Sequence, residues 1–125
     1  MLGHSCKIMI VEDNALIANM LEAMVEDMGY QVVGPYRNLQ DAVDHARVDE
    51  IDFGLLDFDL GHGTDVVPVV EILSERGVPF AITSGSNPSV IWQSIPAVTI
   101  LQKPVVVSEL EAVLPGRAGT LQFAF

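Results

Sequence analysis

The stretch KIMIVEDN, residues 7–14, joins a short apolar run to two acids and an asparagine. A run dominated by Ile, Met and Val predicts a strand that is buried on both faces. Asn14 can cap a helix, because its side-chain oxygen accepts from backbone N–H groups that have no partner inside the helix. The stretch therefore predicts a buried strand that leads through an acidic turn into a helix.

The rest of the chain repeats this alternation of strand and helix. Four further apolar runs predict strands over residues 31–33, 53–58, 79–83 and 98–101. Helical segments, recognised by caps and by apolar residues at spacings of three and four, follow the strands. Such alternation predicts an α/β fold in which helices cover both faces of a parallel sheet through right-handed crossovers.

Caps and helix breakers predict where the elements begin and end. We expect Gly34-Pro35 to close the second strand, and the third helix to begin near Thr64 or Asp65. Ser108 and Glu111 match the S-x-x-E capping box, which predicts Ser108 as the N-cap of the last helix.

The composition restricts the classes of function. The 125 residues carry 6 Lys and Arg against 17 Asp and Glu, which gives a net charge of −11, and 50% of them are hydrophobic. A chain this acidic is repelled by phosphate backbones and by anionic lipid, so we expect neither nucleic-acid nor membrane binding. Prolines interrupt the uncharged stretch 77–102, which is therefore not a membrane span. A single cysteine, Cys6, forms no internal disulfide, and we expect a cytoplasmic protein.

Polar side chains follow four of the five predicted strands. They are Glu12-Asp13 after the first strand, Asp57 and Asp59 at the end of the third, Thr83-Ser84 at the end of the fourth, and Lys103 after the fifth. Ligands of open parallel sheets bind beyond the carboxyl ends of the strands. We therefore expect several carboxylates, a hydroxyl and an amine to meet at one edge of the sheet.

Carboxylates this close together repel one another unless a cation compensates their charge. Mg²⁺ suits such a site, because it binds one or two carboxylates, a carbonyl and several waters, and commonly a phosphate oxygen. Lys103 and a hydroxyl would bind the phosphate, and a carboxylate left free can act as a nucleophile that forms an acyl phosphate. This edge therefore predicts metal-dependent phosphoryl transfer onto an aspartate.

Each feature has a simpler explanation when it is taken alone. Acids such as Glu12-Asp13 suit the start of any helix, and a lysine such as Lys103 often extends from a strand end into solvent. The three histidines show no metal-ligand spacing and are interpreted as surface residues. Methionines 20, 24 and 28 have helical spacing and are predicted to lie in the core. It is the joint occurrence of polar groups at several strand ends that favours a functional site.

Four motifs, in this order, resemble the response-regulator receiver domain of bacterial two-component signalling. They are IMIVEDN (8–14), LLDFDL (55–60), PFAITSG (79–85) and LQKP (101–104). The resemblance covers about residues 7–114 of a single domain, 1–125, and leaves 115–125 as a C-terminal tail. It implies a flavodoxin-like receiver fold, which is a doubly wound five-stranded parallel sheet with strand order 2-1-3-4-5. The stretches 33–43 and 76–85 are similar to receivers of an alphaproteobacterial type.

The resemblance implies a role for each residue at the polar edge. Asp57 corresponds to the phosphoacceptor, and Glu12 and Asp13 correspond to the acids that hold Mg²⁺ together with it. Asp59 lies where the family uses a backbone carbonyl as a metal ligand. Lys103 corresponds to the lysine that pairs with the phosphoryl group.

The resemblance also identifies the residues expected to carry the switch. Ser84 corresponds to the hydroxyl that moves onto the phosphoryl group, and we prefer it to Thr83 because the small residue Gly85 follows it. Lys103-Pro104 corresponds to a peptide bond that is typically cis in the family. The chain departs from the family on the fifth strand, where Ile100 stands in place of the expected aromatic switch residue.

The fourth and fifth helices are expected to be shortened. The fourth helix, near 89–94, is cut off by Pro96, and it carries Val90, Ile91 and Trp92 within the uncharged stretch. The fifth helix is about two turns long by its pattern. We expect the fourth helix to present an apolar surface that binds a partner protein or a second copy of the chain as a homodimer.

The resemblance implies a phosphorylatable switch rather than an enzyme, apart from catalysis of its own phosphorylation and dephosphorylation. The implied phosphoryl donor is a histidine kinase or a histidine phosphotransfer protein. The implied output is binding to an unidentified downstream protein, with no nucleic-acid or membrane contact.

Three other interpretations are weighed against this one. The chain could be a receiver fragment of a hybrid histidine kinase. It could also be a small haloacid-dehalogenase-like phosphatase that uses Asp57 and Asp59 as a D-x-D motif, but such enzymes need another acidic pair beyond the lysine. Only Glu109 and Glu111 follow Lys103, inside a predicted helix. A flavodoxin-like cofactor binder needs a Gly/Ser/Thr-rich loop after the first strand, where this chain has two acids.

Overall fold

A computed structural model describes residues 6–116 of the chain. A five-stranded parallel sheet with strand order β2-β1-β3-β4-β5 forms its centre. The strands are β1 (Lys7–Val11), β2 (Gln31–Tyr36), β3 (Phe53–Asp57), β4 (Phe80–Ser84) and β5 (Ile100–Gln102). The helices are α1 (Ala15–Asp27), α2 (Leu39–Val48), α3 (Val67–Glu75), α4 (Pro88–Ser94) and α5 (Val107–Val113). The predicted doubly wound fold, with its short fourth and fifth helices, is confirmed.

Two apolar clusters pack against the two faces of the sheet. Successive residues of a strand point to opposite faces, so Ile8 and Ile10 of β1 belong to one cluster and Met9 and Val11 to the other. The first cluster packs β1 against α1 and α5, and the second packs it against α2, α3 and α4. β1 is therefore buried on both faces, as its run of apolar residues predicts.

The second strand does not end at Gly34-Pro35, contrary to the prediction. β2 continues to Tyr36, and its register against β1 shifts between Met9 and Val11. Gly34 makes this irregularity feasible, because its φ is +102° and a Cβ there would lie 2.8 Å from the backbone nitrogen of Tyr36. The longer strand carries the residue after Tyr36 to the carboxyl edge of the sheet.

The third helix begins later than predicted, at Val67 rather than near Thr64 or Asp65. Asp65 instead forms an isolated bridge with Asp59, and its side chain accepts a hydrogen bond from the backbone N–H of Val67. The bridge and this hydrogen bond satisfy backbone polar groups before the helix starts. The loop after β3 is therefore longer than the sequence pattern indicates.

The predicted capping box of the last helix is wrong. α5 begins at Val107, and its N-cap residue, Val106, makes no side-chain capping bond. The helix starts two residues early because the backbone N–H of Leu110 donates to the carbonyl of Val106, while the Leu110 side chain is buried in the core. Ser108 therefore lies inside the first turn.

The fourth helix presents fewer apolar residues to solvent than predicted. Asn87 caps α4, and Ile91 is fully buried, whereas Val90 and Trp92 are about half exposed. Trp92 also donates its indole N–H to the carbonyl of Val98, at a position the prediction assigned to the fifth strand. The Val98 carbonyl thus accepts a hydrogen bond from a side chain rather than from a neighbouring strand, and β5 is correspondingly short.

The helices are all modest in length. The longest helix among residues 6–116 is α1 with 13 residues, and no helix in this part of the chain is long and apolar enough to cross a membrane. Met28, the C-cap residue of α1, is buried but Met20 is 53% exposed, so the prediction that all three methionines lie in the core is wrong for Met20. Helical spacing alone does not show how wide a stripe of α1 is covered.

Candidate functional site

Three carboxylates meet at the carboxyl edge of the sheet. The register of β1 against β3 pairs Val11 with Leu56, so the next residues, Glu12 and Asp57, lie side by side. One oxygen each of Glu12, Asp13 and Asp57 lies within 4.8 Å of the others. Glu12 and Asp57 are buried, and Asp13 is partly exposed. The predicted convergence of acids is therefore present.

Lys103 supplies a positive charge to this cluster. Its ammonium Nζ lies 3.0 Å from Oε1 of Glu12 and 3.3 Å from Oδ1 of Asp57. The backbone N–H of Lys103 donates to the carbonyl of Ser84, which fixes the residue at the end of β5. Burial alone would lower the pKa of Lys103, but the two carboxylates outweigh that effect and raise it. The ammonium is therefore held in its charged form.

The environment of the buried Asp57 carboxyl disfavours its ionised form. Burial and the neighbouring charge of Glu12 raise the pKa of Asp57 well above its ordinary range, and the ammonium of Lys103 offsets only part of this increase. One ammonium does not neutralise three clustered carboxylates. The arrangement consequently favours the arrival of another positive group.

The cluster opens into a polar cavity of about 390 Å³. Its lining includes the three acids, Lys103, Ser84, Gly85 and Asp59. The Oγ of Ser84 accepts a hydrogen bond of 2.8 Å from the backbone N–H of Ser86, which links the end of β4 to the loop before α4. Thr83 is buried, and its hydroxyl has no hydrogen-bond partner among residues 6–116. Ser84, rather than Thr83, faces the cavity.

Asp59 lies at the rim of the cavity. The residue is exposed, and its side chain accepts a hydrogen bond from the backbone N–H of Gly61. Its carboxylate is thus engaged with the loop. This position leaves the D-x-D interpretation without support, since Glu109 and Glu111 are exposed on α5 and belong to no acidic cluster with Asp57.

The two remaining predicted switch residues lie outside the cavity. Ile100, on β5, is half-buried and packs against the cluster on the α2–α4 side of the sheet. Pro104 follows a cis peptide bond with Lys103, as the resemblance implies, and lines a separate apolar cavity beside α1.

Arg37 is a site residue that the sequence analysis missed. Its guanidinium donates two hydrogen bonds, of 3.2 and 3.3 Å, to the backbone carbonyl of Asp13. The backbone N–H of Glu12 also donates to the carbonyl of Tyr36. The continuation of β2 past Gly34 therefore holds the acidic turn in place. The signal for this contact was a basic residue directly after Tyr36. It was overlooked because the predicted second strand ended too early.

The donor set fits a hard divalent cation. Such ions bind carboxylate oxygens, and three carboxylates with a cavity beside them provide these ligands. The buried Oε1 of Glu12 is paired with the Lys103 ammonium at 3.0 Å and accepts no hydrogen bond from any other described residue. Two further carboxylates share this single ammonium, so the cluster retains acceptor capacity for a cation.

Comparison with known proteins identifies similar chains. The family model of the response regulator receiver domain matches residues 8–114. The transcriptional regulatory protein PdtaR of Mycobacterium tuberculosis is 29% identical over 107 residues, which are 83% of this chain and 52% of the relative. The chain thus spans about half the length of that protein.

Solved structures with the same fold cover most of the chain. The signal receiver domain of a modulated diguanylate cyclase from Desulfovibrio desulfuricans G20 has a TM-score of 0.77 and 28% identity over 87% of this chain and 90% of that one. SdrG from Pseudomonas melonis Fr1, in its BeF3-activated conformation, has a TM-score of 0.73 and 31% identity over 89% of this chain and 97% of its own.

Proposed function

The chain belongs to the response-regulator receiver domain family, and on this premise we propose that it is a phosphorylatable switch with Asp57 as the phosphoacceptor. The observation that carries the proposal is the contact of 3.3 Å between Asp57 and the Lys103 ammonium, at the mouth of a polar cavity. Asp57 lies beside Glu12 of the neighbouring strand end and beside the Lys103 ammonium.

The proposed step transfers one phosphoryl group to the Asp57 carboxylate. A carboxylate oxygen attacks the phosphorus, a new P–O bond forms, and the bond from phosphorus to the donor breaks with its electron pair going to the donor. We propose that the donor is the phosphohistidine of a histidine kinase or of a histidine phosphotransfer protein. Lys103 neutralises charge on the transferred oxygens, because its ammonium already lies beside the acceptor.

We propose that Glu12, Asp13 and Asp57 hold Mg²⁺, with the backbone carbonyl of Asp59 as a further ligand. The mutual proximity of the three carboxylates supports this assignment. A bound Mg²⁺ supplies positive charge to the phosphoryl oxygens. The guanidinium of Arg37 holds the turn of Asp13 in position through its two hydrogen bonds to the Asp13 carbonyl.

Millimolar Mg²⁺ is expected to raise the melting temperature of the protein. Ligands that bind only the folded state stabilise it by about 1–3 kcal/mol when present at 10–100 times their dissociation constant. Asp13→Ala should remove most of this gain, because it deletes the most exposed of the three acids. Thermal unfolding with and without Mg²⁺ measures the effect. Glu109→Ala, an exposed acid of α5, is the matched control and should keep the full gain.

We propose that the output of phosphorylation passes through Ser84 to residues 85–96. The hydrogen bond from Ser86 to the Ser84 hydroxyl supports this route, because movement of the hydroxyl releases the loop before α4. α4 is seven residues long, and a helix this short is easily rearranged. Ile100 has no aromatic ring to move, so the route proposed here does not pass through it. Val90 and Trp92, which are about half exposed, then form the surface that binds the partner.

Activation by BeF3 is expected to change hydrogen exchange mainly within residues 85–96. SdrG, a structural relative, was solved in a BeF3-activated conformation, which supports the use of this phosphoryl mimic. Ser84→Ala should shrink the change, because the variant cannot follow the phosphoryl group with a hydroxyl. Thr83→Val, which removes a buried hydroxyl with no partner in the described part of the chain, is the control and should leave it intact. Unchanged exchange over 85–96 in the activated protein contradicts the proposal.

A further inference from the structure

Three side chains join the end of β2 to the end of α2, and we call them the α2 anchor: Tyr36, His45 and Asp49. The hydroxyl of Tyr36 donates a hydrogen bond of 2.9 Å to Oδ2 of Asp49, and Nδ1 of His45 lies 2.9 Å from the same oxygen. The rings of Tyr36 and His45 stack, with their centroids 4.4 Å apart and their planes at 16°. The proposed phosphorylation step uses none of these side chains.

The α2 anchor fixes the ring of Tyr36. Asp49 is the C-cap residue of α2 and lies one turn after His45, so both partners of the ring stand at the same end of one helix. Tyr36 also packs against the apolar cluster that contains Met9 and Val11. Burial and the hydrogen bond to Asp49 raise the pKa of Tyr36 to about 12, and the hydroxyl therefore remains a donor well above neutral pH.

This attachment matters because the regular ladder of β2 is interrupted just before Tyr36. The register against β1 shifts at this point, Gly34 has a φ of +102°, and Pro35 has no N–H to donate. β2 is also an edge strand, with β1 as its only neighbour among the described strands. No second strand holds the end of β2, and the α2 anchor supplies an attachment there.

The end of β2 in turn holds the acidic turn of the site. The carbonyl of Tyr36 accepts a hydrogen bond of 2.9 Å from the backbone N–H of Glu12. The guanidinium of the next residue, Arg37, donates to the carbonyl of Asp13. Both acids of the turn are thus tied to the residues that the α2 anchor fixes. Without a cation the clustered carboxylates repel one another, and a turn without this attachment would yield to the repulsion.

We propose that Tyr36 is a positioning residue for the metal ligands Glu12 and Asp13. Asp49 and His45 fix its ring for this role, and the inference rests on the proposed Mg²⁺ site. A turn that is already in place needs no ordering when the ion binds, whereas a loosened turn must be ordered, which lowers the affinity. Partners that directly orient metal ligands contribute about 10–100-fold to affinity, and Tyr36 acts one step further out, so we expect its hydroxyl to contribute about 3–10-fold.

The test measures the Mg²⁺ dissociation constant of the full chain by NMR titration with magnesium chloride, without a phosphoryl donor. Tyr36→Phe removes the hydroxyl but keeps the ring, and it should weaken Mg²⁺ binding about 3–10-fold. Tyr30→Phe is the matched control, because Tyr30 is the other tyrosine of the chain and its hydroxyl donates to the carbonyl of Pro115 instead. The control also loses a hydroxyl bond, and its Mg²⁺ binding should be unchanged.

Two variants of Asp49 separate the hydrogen bond from the charge. Asp49→Asn keeps an oxygen that can accept from the Tyr36 hydroxyl, and it should retain most of the affinity. Asp49→Ala removes the acceptor, and it should weaken Mg²⁺ binding as Tyr36→Phe does. The double variant should bind Mg²⁺ no more weakly than either single one, because both substitutions break the same bond.

Phosphorylation by acetyl phosphate gives a second readout. Tyr36→Phe should raise the Mg²⁺ concentration that gives half of the maximal rate and leave the rate at saturating Mg²⁺ unchanged, because the substitution affects binding of the ion and not the chemical step. A Mg²⁺ dissociation constant of Tyr36→Phe equal to that of the wild type overturns the positioning role and leaves the metal site standing. A wild-type protein that binds no Mg²⁺ overturns both.

Discussion

Asp57→Asn is expected to abolish phosphorylation while leaving the fold intact. The amide has no negative oxygen to attack phosphorus, and Asp57 is a buried carboxylate of the acidic cluster, 3.3 Å from the Lys103 ammonium. Incubation with acetyl phosphate and Mg²⁺, followed by intact mass spectrometry, should show one labile phosphoryl group on the wild-type protein and none on the variant. Asp59→Asn, at the exposed rim, is the matched control and should be phosphorylated normally. Normal phosphorylation of the Asp57→Asn variant would falsify the assignment.

The same substitution is expected to stabilise the metal-free protein. The pKa of Asp57 is raised by burial and by Glu12, so in the folded state its ionised form is unfavourable at neutral pH. The free energy of unfolding of the wild type should therefore fall as pH rises from the ordinary Asp pKa of the unfolded chain to that raised pKa, and should level off above it. Asn needs no proton uptake on folding, so the substitution should add about 1–3 kcal/mol near neutral pH, since one unit of pKa difference corresponds to about 1.4 kcal/mol. Denaturant unfolding at several pH values, without Mg²⁺, should show a flatter pH profile for Asp57→Asn.

Lys103→Met is expected to destabilise the metal-free protein and to impair phosphorylation. The variant leaves Glu12, which is fully buried, beside Asp57 with no ammonium between them. Removing one partner of a buried ion pair costs about 3 kcal/mol, at the low end of the usual range because 21% of the Lys103 side chain is exposed. Mg²⁺ should still bind and should stabilise the variant more than the wild type, because it replaces the missing positive charge.

Lys7→Met is the matched control, because the chain has only these two lysines. Lys7 begins β1, at the opposite end of the strand from the site, and pairs with the exposed acid Glu50, so its loss should cost less than about 1 kcal/mol. Denaturant unfolding measures the two costs side by side. If both substitutions had the same effect on stability, the cost assigned to the buried ion pair of Lys103 would be wrong. If Lys103→Met lost Mg²⁺ affinity but kept normal phosphorylation, Lys103 would not serve the phosphoryl group.

The sequence was sufficient to predict the alternation of strands and helices and the acids at the strand ends. Both depend on local patterns. The apolar run of β1 predicts burial on both faces, and Asn14 caps α1 as expected, with its side chain accepting from Ile17. Once parallel strands are inferred, their carboxyl ends share an edge, so Asp57 and Lys103 were expected at the same edge. The family resemblance then distinguished the roles of these residues, which spacing alone does not.

Only the tertiary structure decided the features that depend on contacts between distant segments. β2 passes through Gly34 because β1 lies alongside it, and this brings Arg37 onto the carbonyl of Asp13. Met20 remains exposed because the short α5 and the turn at Pro104 leave part of α1 uncovered. Periodicity reports which residues are apolar, whereas the extent of their cover is set by the length and position of elements elsewhere in the chain.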